Sequence, residues 1–321
     1  MELIDRLDPA HQSVLRAIPE EFLDLTDIAA TRVRFDQVMA QRPRPQWPDG
    51  LGAEDHLAPG RDGGPDVSVR LYRPAGLAAP APALYWVHGG GMVLGSVAMD
   101  EDQCAGLADS LQIVVASVEY RLAPEHPFPA PVEDCYTGWA WLAANAATLG
   151  VDPGRVAIGG GSAGGGLAAG LALLARDRGG PAICFQLLVY PMLDDRNATP
   201  SSHAVTDPRL WNRTANQLGW GAYLSGRAGE ADVSPYAAPA RATDLAGLPP
   251  TYINVGELDL FLDEDIAYAQ ALVKAGVPTE LHVYPGAFHG SNNFVSRSAL
   301  SRRWAADERA ALARALHGSE P

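Results

Sequence analysis

The chain has 321 residues, 47% of them hydrophobic and 19% charged. That balance supports a large buried core and excludes a disordered chain, a coiled coil and a fibrous repeat. Lys and Arg number 24 against 38 Asp and Glu, a net charge of −14, which repels phosphate backbones and argues against nucleic-acid binding.

Residues 1 to about 45 carry Val14, Leu15, Ile18, Phe22, Leu23 and Leu25 at helical spacing, so one or two amphipathic helices are expected there. Pro43, Pro45 and Pro48 end that pattern. Val67, Val69 and Leu71 then alternate as a half-buried strand. Further short strands are read at 83–87, 113–118, 156–158, 184–190, 251–255 and 280–284. Several are apolar on both faces, as in a sheet covered on both sides. Helical patterns lie between them at about 100–111, 132–147, 164–177, 262–275 and 298–316. Strands alternating with helices predict an α/β fold with a mainly parallel central sheet flanked by helices. The stretch from about 196 to 247 departs from the alternation and reads as an insertion over the sheet. Its Trp211, Trp220 and Tyr223 are candidate walls of a substrate pocket, or packing between insertion and sheet.

Residues 156–175 run without a charge, long enough to cross a bilayer. Their glycine density fits a strand, a tight turn and a buried helix better, so no membrane span is expected. Cys104, Cys135 and Cys184 form no C-x-x-C pair and read as free thiols in a reducing compartment. Together with the lack of an apolar leader after Met1, this gives a cytoplasmic expectation.

Gly160-Gly161-Ser162-Ala163-Gly164 joins a predicted strand to a predicted helix. A serine exposed on so sharp a turn needs small neighbours, which Gly160 and Gly164 supply, and this is the context of a nucleophile. His88-Gly89-Gly90-Gly91 follows another strand. Acyl transfer builds an oxyanion that needs fixed N–H donors, and the amides of the Gly89–Gly91 loop, chiefly Gly90 and Gly91, and of Ala163 are the candidates. His88 reads as a brace of that loop. A serine needs a base, and of the eight histidines only His203, His282, His289 and His317 follow Ser162. His289 lies in a loop just after the last strand, where a base can reach the sheet's carboxyl edge. Asp259, in the loop after the strand at 251–255, is the favoured acid to orient it. Glu257 in the same loop is the rival, and Asp194 and Asp195 are more distant alternatives.

These pieces, together with Tyr120-Arg-Leu-Ala-Pro-Glu-His-Pro-Phe-Pro129, Ser234-Pro235, Asp263-Glu264 and His289-Gly290, resemble the hormone-sensitive-lipase-like (bacterial family IV) esterases of the α/β-hydrolase fold. The resemblance spans about 80 to 290. It implies a carboxylic ester hydrolase with a Ser162, Asp259 and His289 triad, an oxyanion hole of Gly90, Gly91 and Ala163, and neither metal nor cofactor. It also implies a small helical cap, from residues 1–50 and a second segment at about 196–230, on a catalytic domain of 51–321. Many members of the family form dimers, so a homodimer is an expectation. The expected substrates are small esters with short- to medium-chain acyl groups. Amide or acetyl-group deacetylation by the same triad is the alternative, and a non-catalytic small-molecule receptor is a third reading. Two departures stand out: Gly161 replaces the usual Asp, Glu or Thr before the nucleophile, and Leu260 replaces the usual Pro after the acid.

Overall fold

The computed structural model describes residues 3–41, 47–61 and 63–318; Pro43 and Pro45 lie outside them. Eight strands form one sheet: β1 (Leu51–Ala58), β2 (Val67–Pro74), β3 (Ala81–Val87), β4 (Val114–Glu119), β5 (Val151–Gly161), β6 (Phe185–Val189), β7 (Thr251–Gly256) and β8 (Thr279–Tyr284). Their spatial order is β1-β2-β4-β3-β5-β6-β7-β8. β2 pairs antiparallel with β1 and with β4. All remaining pairs are parallel. This is the α/β-hydrolase fold.

Burial explains why the strands were legible. Every residue of β3 is buried, with Tyr85 and Val87 packing into one apolar cluster and Leu84 and Trp86 into another. Successive side chains point to opposite faces, so a strand covered on both sides reads as a continuous apolar run. β1 gave no such signal. Its residues from Gly52 to Asp55 are exposed, and it is held by pairing with β2 rather than by its own hydrophobicity.

The crossover helices Glu101–Leu111, Ala130–Ala144, Ala163–Asp177, Leu262–Lys274 and Ala299–His317 lie within a few residues of their sequence positions. The run 156–175 is part of β5 followed by part of a buried helix. Among the described residues no helix is long and apolar enough to cross a membrane. The N-terminal segment forms helices at Pro9–Ala17 and Ile28–Ala40, and the insertion forms helices at Pro200–Ala204 and Arg213–Tyr223.

Candidate active site

The loops after β3, β5, β7 and β8 leave the same edge of the sheet, the carboxyl edge, where ligands bind in parallel α/β sheets. Ser162 follows β5, the glycine loop follows its neighbour β3, Asp259 follows β7 and His289 follows β8.

Ser162 holds φ 58° and ψ −122°, a conformation that L residues rarely adopt and that marks a strained strand-to-helix turn. The turn closes only because its neighbours are bare. A Cβ on Gly164 would stand 2.0 Å from the Val87 carbonyl oxygen, and one on Gly160 would stand 2.4 Å from the Gly164 carbonyl. The Ser162 amide donates to the Val189 carbonyl at 2.8 Å, which ties the turn to β6. The helix starting at Ala163 points its N-terminus at the serine, where its dipole favours negative charge.

Three side chains meet here. His289 Nδ1 is 2.8 Å from Asp259 Oδ2, and His289 Nε2 is 2.9 Å from Ser162 Oγ. A carboxylate only accepts, so Nδ1 carries the proton and Nε2 accepts from the serine hydroxyl. Asp259 is 1% exposed, and its other oxygen accepts from the Phe261 amide at 3.0 Å. The carboxylate is thereby fixed from both sides. The imidazole is clasped edge-on by Tyr190 and by Phe261, with ring centroids 4.8 and 5.1 Å away.

The other acids point elsewhere. Glu257 pairs with Arg6 at 3.0 Å and accepts from the Gly286 amide. Asp194 pairs with Arg196, and Asp195 with Arg241. His203 and His317 lie on the helices Pro200–Ala204 and Ala299–His317, and His282 lies in β8 beside Glu280 and Asp307.

The loop Gly89-Gly90-Gly91 runs beside the serine, and a Cβ on Gly89 would be 3.5 Å from Ser162 Cβ. Gly91 has φ 63°, and a Cβ there would stand 2.1 Å from Trp211 Cη2, so the indole occupies the space a side chain would need. His88 sits fully buried behind the loop. Its Nδ1–H donates to the Gly89 carbonyl at 2.8 Å, and its ring stacks on Tyr120 at 4.1 Å. Burial pushes the His88 imidazole down to about 4, so it stays neutral near pH 7. Tyr120 in turn donates to the His88 carbonyl at 2.9 Å.

Of the three insertion aromatics, Trp211 lines the cleft beside Ser162. Trp220 and Tyr223 do not. Both are 0% exposed, pack against each other, and Tyr223 meets Phe128 edge-on. Helical spacing identified them as apolar but could not show which helix face meets the cleft. Phe22, Leu23 and Phe35 from the N-terminal segment also line it, with Met99, Gln103, Tyr190 and Leu210. Sequence reading missed these as cleft walls, because nothing local announces a contact across such separations; it expected Phe22 and Leu23 on an amphipathic helix, but both lie in the turn between the helices Pro9–Ala17 and Ile28–Ala40, where Pro19 follows the first helix. Among the described residues no group of three His, Cys, Asp or Glu is arranged to hold a metal ion.

A family model described as the alpha/beta hydrolase fold matches residues 84–293. Carboxylesterase NlhH of Mycobacterium tuberculosis is 36% identical over 319 residues, covering 97% of each chain. Ethyl acetate hydrolase of Pseudomonas putida is 34% identical, covering 70% of this chain and 71% of its own. Among solved structures, the chain resembles a bacterial heroin esterase with 44% identity and a TM-score of 0.93, covering 98% of this chain and 99% of the other.

Proposed function

We propose, on the premise that the chain belongs to the α/β-hydrolase family and is a carboxylesterase like its relatives, that Ser162, His289 and Asp259 carry its chemistry. The observation that supports this reading is the continuous hydrogen-bonded line from Ser162 Oγ through His289 to Asp259.

His289 Nε2 takes the Ser162 proton as Oγ bonds to the ester carbonyl carbon. The carbonyl oxygen becomes an oxyanion facing the amides of the Gly89–Gly91 loop, chiefly Gly90 and Gly91, and of Ala163. These donors are held in place before the reaction, so stabilising the charge costs little reorganisation. The imidazolium then hands its proton to the alcohol oxygen, the carbon–oxygen bond breaks, and the alcohol leaves. Water, deprotonated by His289, attacks the acyl-enzyme and releases the acid and Ser162. Asp259 stabilises the charged imidazole throughout and holds its tautomer.

The cleft at the serine is walled by Trp211, Leu210 and Leu94, which suits a short to medium acyl chain. The likeness to a protein named for ethyl acetate hydrolysis supports the same preference. The N-terminal helices and the 196–230 insertion serve as the cap, since both supply walls of this cleft. All three cysteines are free, which suits the cytoplasm.

The test is hydrolysis of p-nitrophenyl acetate, butanoate, octanoate and palmitate by the wild type and Ser162→Ala. Activity should peak at the short chains and fall to background in the variant. A palmitate optimum would overturn the acyl assignment, and full activity of Ser162→Ala would overturn the triad.

A further inference from the structure

Trp211 is held by more than apolar packing. Its indole lies in a slot between two glycines from different segments. A Cβ on Gly91 would stand 2.1 Å from Trp211 Cη2 and 2.6 Å from its Cζ2. A Cβ on Gly219, in the helix Arg213–Tyr223, would stand 3.2 Å from Trp211 Cζ2 and 3.3 Å from the Gly91 carbonyl oxygen. The six-membered edge of the indole therefore rests on the glycine loop beside Ser162.

The other edge is tied into the insertion by a relay of two amides. Trp211 Nε1–H donates to Asn216 Oδ1 at 3.1 Å, and Asn216 Nδ2 donates to Asn197 Oδ1 at 3.2 Å. An indole N–H only donates, so Asn216 must turn its oxygen to the tryptophan and its NH2 to Asn197. Asn197 is anchored in turn. Its Nδ2 donates to the Arg213 carbonyl at 3.2 Å, and its own carbonyl accepts from Arg213 Nη1 at 2.5 Å. It holds φ 51°, in the left-handed region that Asn enters more readily than most residues. Both asparagines are buried, and neither lines the cleft.

Packing a tryptophan between an insertion and a sheet needs only apolar neighbours. A buried, fully paired amide relay adds something else: it admits one orientation of the ring. The glycine slot and the relay act on opposite edges of the same indole, so the wall that Trp211 gives the cleft is fixed in place. Without Asn216 the N–H loses its buried acceptor, and the ring gains by turning to reach water. A fixed wall excludes a longer chain; a wall that turns makes room for it.

We propose that Asn216, backed by Asn197, is a positioning residue that sets the acyl-chain limit by fixing the Trp211 indole against the glycine loop. This rests on the reading above that Trp211 walls the space for the acyl chain.

The test is the ratio of kcat/KM for p-nitrophenyl butanoate to that for p-nitrophenyl octanoate, two esters with one leaving group. Asn216→Leu keeps the size of the side chain and removes both hydrogen bonds. It should lower the ratio by about tenfold, the lower end of what one methylene is worth in an apolar pocket. Trp211→Ala should lower it at least as far. In the Trp211→Ala background, Asn216→Leu should change the ratio by less than about twofold, because no indole is left to hold and residues that act through one contact are not additive. Asn216→Ser, which leaves room for a water in place of the amide, gives the same readout if the leucine variant does not fold, and its ratio should lie between those of the wild type and Trp211→Ala. A residue that only supports the insertion would lower both esters by one factor. If the Asn216 variants do that, or if Asn216→Leu lowers the ratio as much without Trp211 as with it, the inference is wrong and the wall reading stands. If Trp211→Ala leaves the ratio unchanged, the wall reading has failed and this inference falls with it.

Discussion

Gly161 and Tyr190 fit one another. A Cβ on Gly161 would lie 3.6 Å from Tyr190 Cε2 and 3.8 Å from its hydroxyl oxygen, so the tyrosine ring borders the space that a longer side chain at 161 would enter. Tyr190 is held with φ 36°. Its ring meets His289 edge-on, and its hydroxyl accepts from Asn293 Nδ2 at 3.2 Å. A methyl group at 161 makes ordinary contact, so Gly161→Ala should retain activity within about threefold. A branched side chain must displace the ring, and overpacking costs about 1–3 kcal/mol. Gly161→Val should therefore lower kcat by about tenfold or more, and adding Tyr190→Ala should recover part of the loss. Additive losses in the double variant would show that the two positions are uncoupled.

Asp259→Asn removes the acceptor at His289 Nδ1 while keeping the shape. The amide can present its N–H to the imidazole and select the wrong tautomer, so kcat should fall by about 10³–10⁴ with KM little changed. Glu257→Gln should leave kcat within about twofold, because that carboxylate is bonded to Arg6 and the Gly286 amide. Steady-state kinetics with one chromogenic ester tests both.

Arg32 fastens the N-terminal helix Ile28–Ala40 to the loops around the site. Its Nε donates to the Val93 carbonyl at 2.7 Å, its Nη2 to the Ala123 carbonyl, and its Nη1 pairs with Glu125 at 2.7 Å. The ion pair is half exposed and contributes little by itself; the carbonyl bonds set the helix position. That helix carries Phe35 into the cleft. Arg32→Met should raise KM several-fold with a smaller change in kcat, and should speed proteolytic cleavage of the segment 3–41. A kcat loss with unchanged KM and unchanged proteolysis would contradict the latch.

Glu308 makes stability depend on pH. Burial raises its carboxyl to about 7 from an ordinary 4.5, against the opposing hydrogen bonds from Asn254 and Trp304. Between those values the folded chain keeps a proton that the unfolded chain releases, so stability falls as pH rises from about 4.5 to about 7 and is level above. Glu308→Gln stays neutral. Its Tm advantage over the wild type should grow from pH 5 to pH 7 and then stop growing. An advantage that is constant across this range would place the carboxyl's titration elsewhere.

The sequence by itself determined the α/β class and most of the strands and helices, and pointed to Ser162, to His289 and to an acid in the loop after the strand at 251–255 as the candidate group. These depend on local facts. A strand buried on both faces must be apolar, a tight elbow must be glycine, and a group that acts at the sheet's carboxyl edge must follow a strand. Only the tertiary structure decided which acid faces the imidazole, because Glu257 and Asp259 share one loop and differ only in where the loop turns them. It also decided that Trp211 faces the cleft while Trp220 and Tyr223 pack beneath the insertion, and that Phe35 reaches the site from the N-terminal helix. Periodicity tells that a side chain is buried; which neighbour buries it depends on contacts between segments that are far apart in the chain, and no local pattern encodes those.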